Sequence, residues 1–299
     1  MPTIWITGAH GQLARALVRS TPAEYHCRCF GRDQWDLSQP DVLSLPSKGL
    51  PDLLIHTAAM TDVDGAEQHR EAAFKLNAES SEALARWCAS HDIPLLGIST
   101  DYVFDGQACK PYTEQDEVNP MSVYGQSKRA GEQAIFEHLG QQGAVVRTTW
   151  LYDAQGKNFL TTMLRLMGQG VSPLRIVADQ WGAPTSCHAL AELLWLLADD
   201  MITTQNGGGL YHWSCAGQTN WYEFAQTIQD RALELALISK PVTIESTTAA
   251  EYGAPAPRPA FSVLDSSALS NRLGQKATPP TWEKALGAVM QELQQMNKG

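Results

Sequence analysis

TIWITGAHGQLARAL, residues 3–17, sets an apolar, β-branched run against a glycine-punctuated turn and then a helical stretch. Gly8, Gly11 and Ala14 fall at the G-x-x-G-x-x-G/A spacing. Glycines are needed where a backbone must turn tightly and let a pyrophosphate approach, whose charge then rests on the amides and dipole of the following helix. A glycine pattern alone is weak evidence, but one lying between a strand and a helix predicts dinucleotide binding, with Gly8, Gly11, Gln12 and Leu13 against the cofactor. The plainer alternative is that these glycines only shape a βα turn.

Outward from that stretch, short apolar runs alternate with helical ones. HCRCF, DLLIH, LLGIS and AVVRTTW read as strands, and QLARALVRS, EAAFKLNAESSEALARWCASH and a long segment from Tyr124 read as helices. Strands that are apolar without alternating imply a sheet covered on both faces, which parallel strands joined by helices provide. The expected fold is therefore α/β, a doubly wound, Rossmann-like parallel sheet. After Trp150 the pattern loosens around four helical segments, so residues 1–150 are expected to form the dinucleotide-binding domain. Residues 151–299 then supply a smaller α/β substrate domain, with an interleaved boundary. The proline-rich APAPRP, residues 254–259, reads as a rigid connector crossing a surface or a cleft.

Composition narrows the function. The chain has 299 residues, 43% of them hydrophobic, and a formal charge of −10 with no Lys/Arg run, which argues against nucleic acid and anionic membranes as partners. Its most apolar segment, ALAELLWLLADDM, is too short and too acidic to span a bilayer, and MPTIWITG lacks the pattern of a signal peptide, so a cytoplasmic protein is expected. The six cysteines show no zinc-ligand spacing, so no metal is expected.

Cofactor preference turns on the residue after the second strand. There an acidic side chain would take the ribose hydroxyl of NAD, whereas arginine accepts a 2′-phosphate. The strand ends in Gly31-Arg32, so NADPH is expected ahead of NADH. Asp36 and Leu37 are expected at the adenine, and Ala58, Ala59 and Met60, where the third strand ends, along the rest of the cofactor. At the chemistry end, the fourth strand delivers Thr100 and Asp101 to the carboxyl edge of the sheet, and Tyr124 stands one helical turn before Lys128. A phenol is a poor acid at neutral pH, and an adjacent ammonium is expected to stabilise its phenolate. A Y-x-x-x-K pair is common on helical surfaces; preceded by the glycine turn and a strand-end Ser-Thr, it reads as catalytic.

The segments TGAHGQL, AAMTDVDGAE, LNA, STDYVFDG, PYTEQDEVNPMSVYGQSKRAGE, VADQWGAPTS and APRPAFSVL span most of the chain. In that order they resemble the extended short-chain dehydrogenase/reductase group, and within it the dTDP-4-dehydrorhamnose reductase family. The resemblance implies NADPH-linked reduction of the 4-keto group of dTDP-4-keto-L-rhamnose, a nucleotide-sugar substrate. Tyr124 would be the proton donor, Lys128 its partner and Thr100 the polariser of the carbonyl, with Asp101 and Trp150 facing the sugar. Arg258, held between two prolines, is a candidate clamp for the diphosphate. Another nucleotide-sugar 4-keto reductase or epimerase, and a non-catalytic NADP-binding regulatory subunit, are the alternatives. Some members hold a divalent metal at a dimer contact through carboxylates in the first helix and after GAPT. Here those stretches read LARAL and SCHAL, so no such metal is expected and a homodimer stays open.

Overall fold

The computed structural model describes residues 1–39 and 49–297. Strand β1 (Thr3–Thr7) leads into helix α1 (Gln12–Arg19), β2 (His26–Phe30) and β3 (Leu53–His56). Helices α2 (Val63–Gln68), α3 (Arg70–Phe74) and α4 (Ser80–Ser90) follow, then β4 (Leu95–Thr100), α5 (Val123–Leu139) and β5 (Gly143–Thr148). The second half contributes α6 (Phe159–Gly168), α7 (Cys187–Thr204), α8 (Trp221–Glu234), a C-terminal helix Trp282–Met296 and several two-stranded ladders.

A six-stranded sheet carries the fold, in the order Gly209–His212, β5, β4, β3, β1, β2. Every neighbouring pair in it runs parallel. Alternate residues of each strand serve opposite cores. Ile4, Ile6, Leu53, Ile55, Leu96 and Val146 face α1, α7 and the second half of the chain. Trp5, Leu54, Leu95 and Val145 face α4 and α5. Both faces are dry, which is why the strands read as unbroken apolar runs; each fully buried Leu or Ile contributes about 1.5–3 kcal/mol.

Two features depart from the sequence reading. The Gly209–His212 segment, GLYH, is a strand that pairs with β5, so the edge of the main sheet comes from the second half of the chain. The helical run after Arg70 is interrupted by a wide π-type turn at Lys75–Glu79. Chain order reverses between β1 and β3, and it is outside the carboxyl ends of such strands that open α/β sheets form their ligand crevice.

Candidate active site

The glycine turn is built by contacts that only glycine allows. Gly8 has φ +81°, and a Cβ there would come within 2.9 Å of the Ala58 Cα, so the ends of β1 and β3 can close together only without a side chain. The N–H groups of Gly8 and Ala9 both donate to the Phe30 carbonyl, and Gly11 N–H donates to the Gly8 carbonyl at 2.7 Å. Helix α1 then starts at Gly11 with no side-chain cap, leaving first-turn amides for an anionic group. Leu13 and Ala14 are buried under the turn, and Gln12 accepts a hydrogen bond from Asn158 of the second half at 2.7 Å. A close-approach turn feeding an uncapped helix fits a dinucleotide pyrophosphate.

Thr7 fixes the neighbouring strand end. Its hydroxyl oxygen accepts from the amides of Thr57 and Ala58 and pairs with His56 Nδ1 at 2.8 Å. Met60 is held from the other side: Asn77 accepts its N–H at 2.8 Å, donates to its carbonyl at 3.1 Å, and donates to Ser127 of α5 at 2.9 Å. Sequence reasoning missed Asn77. Its signal was an asparagine inside an otherwise helical pattern, where that residue is unfavourable without a partner.

After β2, the Arg32 side chain is 78% exposed and donates from Nε to Asp36 at 3.2 Å. Asp36 is itself engaged by the hydroxyl and amide of Ser38, which hold its carboxyl well below the usual range. Leu37 packs into the core with Trp5 and Trp35, so what it can offer a ligand is backbone.

The helix bearing Tyr124 and Lys128 is placed by three contacts at its start. Ser122 caps it by accepting from Gly125 N–H, and Glu67 of α2 accepts from Val123 N–H at 2.7 Å. A Cβ on Gly125 would stand 2.2 Å from the Tyr102 carbonyl oxygen, so glycine lets the first turn press onto the loop after β4. Tyr124 is thereby brought to the side of Thr100, which acts on its phenol.

Burial dominates the electrostatics. It pushes Tyr124 up to about 12, with the nearby Thr100 hydroxyl working against the rise. It brings Lys128 down to about 8, opposed by Glu132. Lys128 Nζ donates to the Ile98 carbonyl at 2.7 Å. The expected lowering of the phenol by the ammonium is therefore not what this geometry gives; desolvation outweighs it. Beneath the pair lies a buried ion pair, Arg147 Nε and Nη2 on the two oxygens of Glu132 at 2.8 and 2.7 Å. Asp101, 2% exposed, accepts from Thr100 at 3.0 Å and Thr149 at 2.8 Å, and burial pushes its carboxyl up to about 6.

Two expected ligand contacts have other partners. Trp150, at φ +48°, stacks one face of its indole on Trp221 with centroids 3.5 Å apart. Arg258 spends Nη1 and Nη2 on Asp64 of α2 at 3.1 and 2.8 Å, and Nη1 also donates to the Ala256 carbonyl. It pins the proline strap rather than standing free for a phosphate. Asn158 caps α6, and Thr185 donates to the Ala183 carbonyl. Among the described residues no group of three or more His, Cys, Asp or Glu could hold a metal ion, and no helix is long and apolar enough to cross a membrane.

A doubly wound parallel sheet, a close-packed glycine turn at its crevice and a buried Thr100–Tyr124–Lys128 set beside it define a Rossmann-like α/β protein. The comparisons with known proteins narrow that class. The chain belongs to the RmlD substrate binding domain family, whose model matches residues 2–295. It is similar to a dTDP-4-dehydrorhamnose reductase of Burkholderia thailandensis, 38% identical over 97% of this chain and 98% of that protein. Among solved structures, a dTDP-4-dehydrorhamnose reductase of Clostridium acetobutylicum superposes with a TM-score of 0.88 at 34% identity, covering 98% of this chain and 99% of that one. Another, from Bacillus anthracis in complex with NADP, superposes at 0.84 and 34% identity, covering 97% and 99%.

Proposed function

We propose that the protein reduces the 4-keto group of dTDP-4-keto-L-rhamnose to dTDP-L-rhamnose. The observation that carries this reading is the convergence of Thr100, Tyr124 and Lys128, all buried, at the carboxyl edge of a sheet whose glycine turn can hold a dinucleotide. Family membership and full-length similarity to proteins named for this reaction support it. NADPH, when bound, supplies the hydride that adds to C4. The chain supplies the rest. Gly8, Gly11 and the amides of α1 would hold the pyrophosphate, and Arg32, exposed beside Asp36, would hold the 2′-phosphate. Tyr124 gives its proton to the carbonyl oxygen as C4 is reduced, and Lys128, brought down to about 8, can hand a proton back toward the phenolate. Such acid assistance contributes about 10²- to 10⁴-fold.

The deciding experiment follows NADPH absorbance with the 4-keto sugar generated in situ, with NADH in parallel. Oxidation that requires the complete substrate mixture and yields dTDP-L-rhamnose is the expected result. NADPH binding without turnover would overturn the reading in favour of another keto sugar or a cofactor-binding subunit.

A further inference from the structure

Trp150 holds a backbone conformation that tryptophan rarely adopts. It stands two residues beyond the end of β5 at φ +48°, in the left-handed region where a bulky side chain is strained. Such strain persists only where surrounding contacts over-determine it, and it gathers at functional positions. The place is close to the chemistry: β5 pairs Thr148 with Thr100, and the intervening Thr149 donates to Asp101 at 2.8 Å. Trp150, half-buried, therefore borders the crevice at the carboxyl edge of the sheet.

The contacts that hold it come from the second half of the chain. One face of its indole stacks on Trp221, with centroids 3.5 Å apart and planes at 11°. A Cβ on Gly182 would stand 2.6 Å from Cε2 and 2.9 Å from Nε1 of the same indole, so that edge lies against bare backbone. Gly182 has no positive φ of its own; what excludes a side chain there is Trp150. These two neighbours are tied to each other. Trp181–Gly182 pairs antiparallel with Thr219–Asn220, and Trp221 follows directly as the first residue of α8. Phe159 packs on Trp221 with centroids 4.7 Å apart, and the Trp150 carbonyl accepts from the Thr185 N–H at 3.2 Å. The indole thus sits in a slot whose walls are fixed by other elements.

We propose that Trp221 and Gly182 are positioning residues, a clamp that holds the Trp150 indole in place as one wall of the sugar site. A flat aromatic wall suits the apolar face of a 6-deoxy ketosugar, and a wall held in advance needs no ordering when the sugar binds. The sugar role rests on the reductase reading, whereas the clamp itself does not.

The test is a pair of double-mutant cycles, W150A with W221A and W150A with G182A. W221A and G182A should each raise KM for the nucleotide sugar about two- to tenfold, the size of an aromatic contact, and leave Kd for NADPH unchanged. In the W150A background the same substitutions should add nothing to that KM. W221F, which keeps a stacking ring, should recover most of the loss, and W221L should not. Clamp variants that leave the sugar KM unmoved, or that raise it as much without Trp150, overturn the proposal. Should W221A not fold, G182A carries the cycle alone, because the three atoms nearest its added Cβ all belong to Trp150. Urea titration of the second cycle needs no substrate: G182A should be destabilised, and W150A should abolish that loss. A loss that survives in W150A counts equally against the clamp. If the stability coupling is present but the wild type oxidises no NADPH with the ketosugar, the reductase reading falls and takes the sugar role with it, while the clamp stands.

Discussion

Arg258 and Asp64, 194 residues apart in the chain, meet in a two-pronged ion pair that also ties the Ala256 amide to the same carboxylate. Asp64 lies on α2, and another residue of that helix, Glu67, accepts the first N–H of the helix that carries Tyr124. One short helix thus holds both the strap from the second half and the start of the helix that carries Tyr124 and Lys128.

Breaking that pair is expected to act through position. R258A and D64N should each lose about 1–2 kcal/mol of stability and raise KM for the nucleotide sugar more than KM for NADPH. Steady-state kinetics with a urea titration check this. If R258A alone raised the sugar KM while D64N left it untouched, Arg258 would be gripping the substrate directly.

Y124F removes one hydroxyl from a buried ring. Turnover should fall about 10²- to 10⁴-fold, with NADPH affinity nearly unchanged, measured by fluorescence titration alongside the rate assay. Retention of most of the activity would mean that another group donates the proton.

Arg32 is exposed and bonded to Asp36, so exchanging it disturbs no core. R32D should shift the ratio of kcat/KM values from NADPH toward NADH, because a carboxylate repels a 2′-phosphate and accepts from a ribose hydroxyl. An unaltered ratio would show that the phosphate is recognised elsewhere.

Glu132 and Arg147 are each 1% exposed as side chains. Burial pushes the Glu132 carboxyl up, yet hydrogen bonds and charge from Arg147 and Arg129 leave it below its ordinary value. E132A, which strands a buried guanidinium, should cost about 3–5 kcal/mol at neutral pH. A carboxyl lowered in the folded state stabilises above its unfolded value and loses that contribution as pH falls through its folded one. The gap between wild type and variant should therefore narrow in acid, as unfolding titrations at neutral and acid pH would record.

Much of the scaffold was legible because it is local. The strand, turn and helix of residues 3–17 announce themselves by β-branched residues, glycine spacing and helical periodicity within one window, and the Tyr124–Lys128 pair is fixed by the pitch of a helix. What escaped depends on distant partners. GLYH does not look like a sheet strand because its histidine is polar; His212 is buried only because its ring nitrogens meet Arg147 and the Tyr112 carbonyl. The stacking of Trp150 on Trp221 and the pairing of Arg258 with Asp64 were not legible, because each partner lies far away in the chain. Tyr124 illustrates the same limit in electrostatics: the lysine is visible in sequence, the desolvation is not.

The origin of the outermost strand bears on how the molecule could be taken apart. Gly209–His212 completes the sheet against β5, α7 covers α1, and Asp153 takes two hydrogen bonds from Arg19 of α1. A fragment ending at Trp150 would bare one sheet edge and the outer face of the helix behind the glycine turn, inviting edge-to-edge aggregation. The two halves are thus not interchangeable parts: a second half grafted from a relative would also have to bring a strand and a helical cover matched to this sheet.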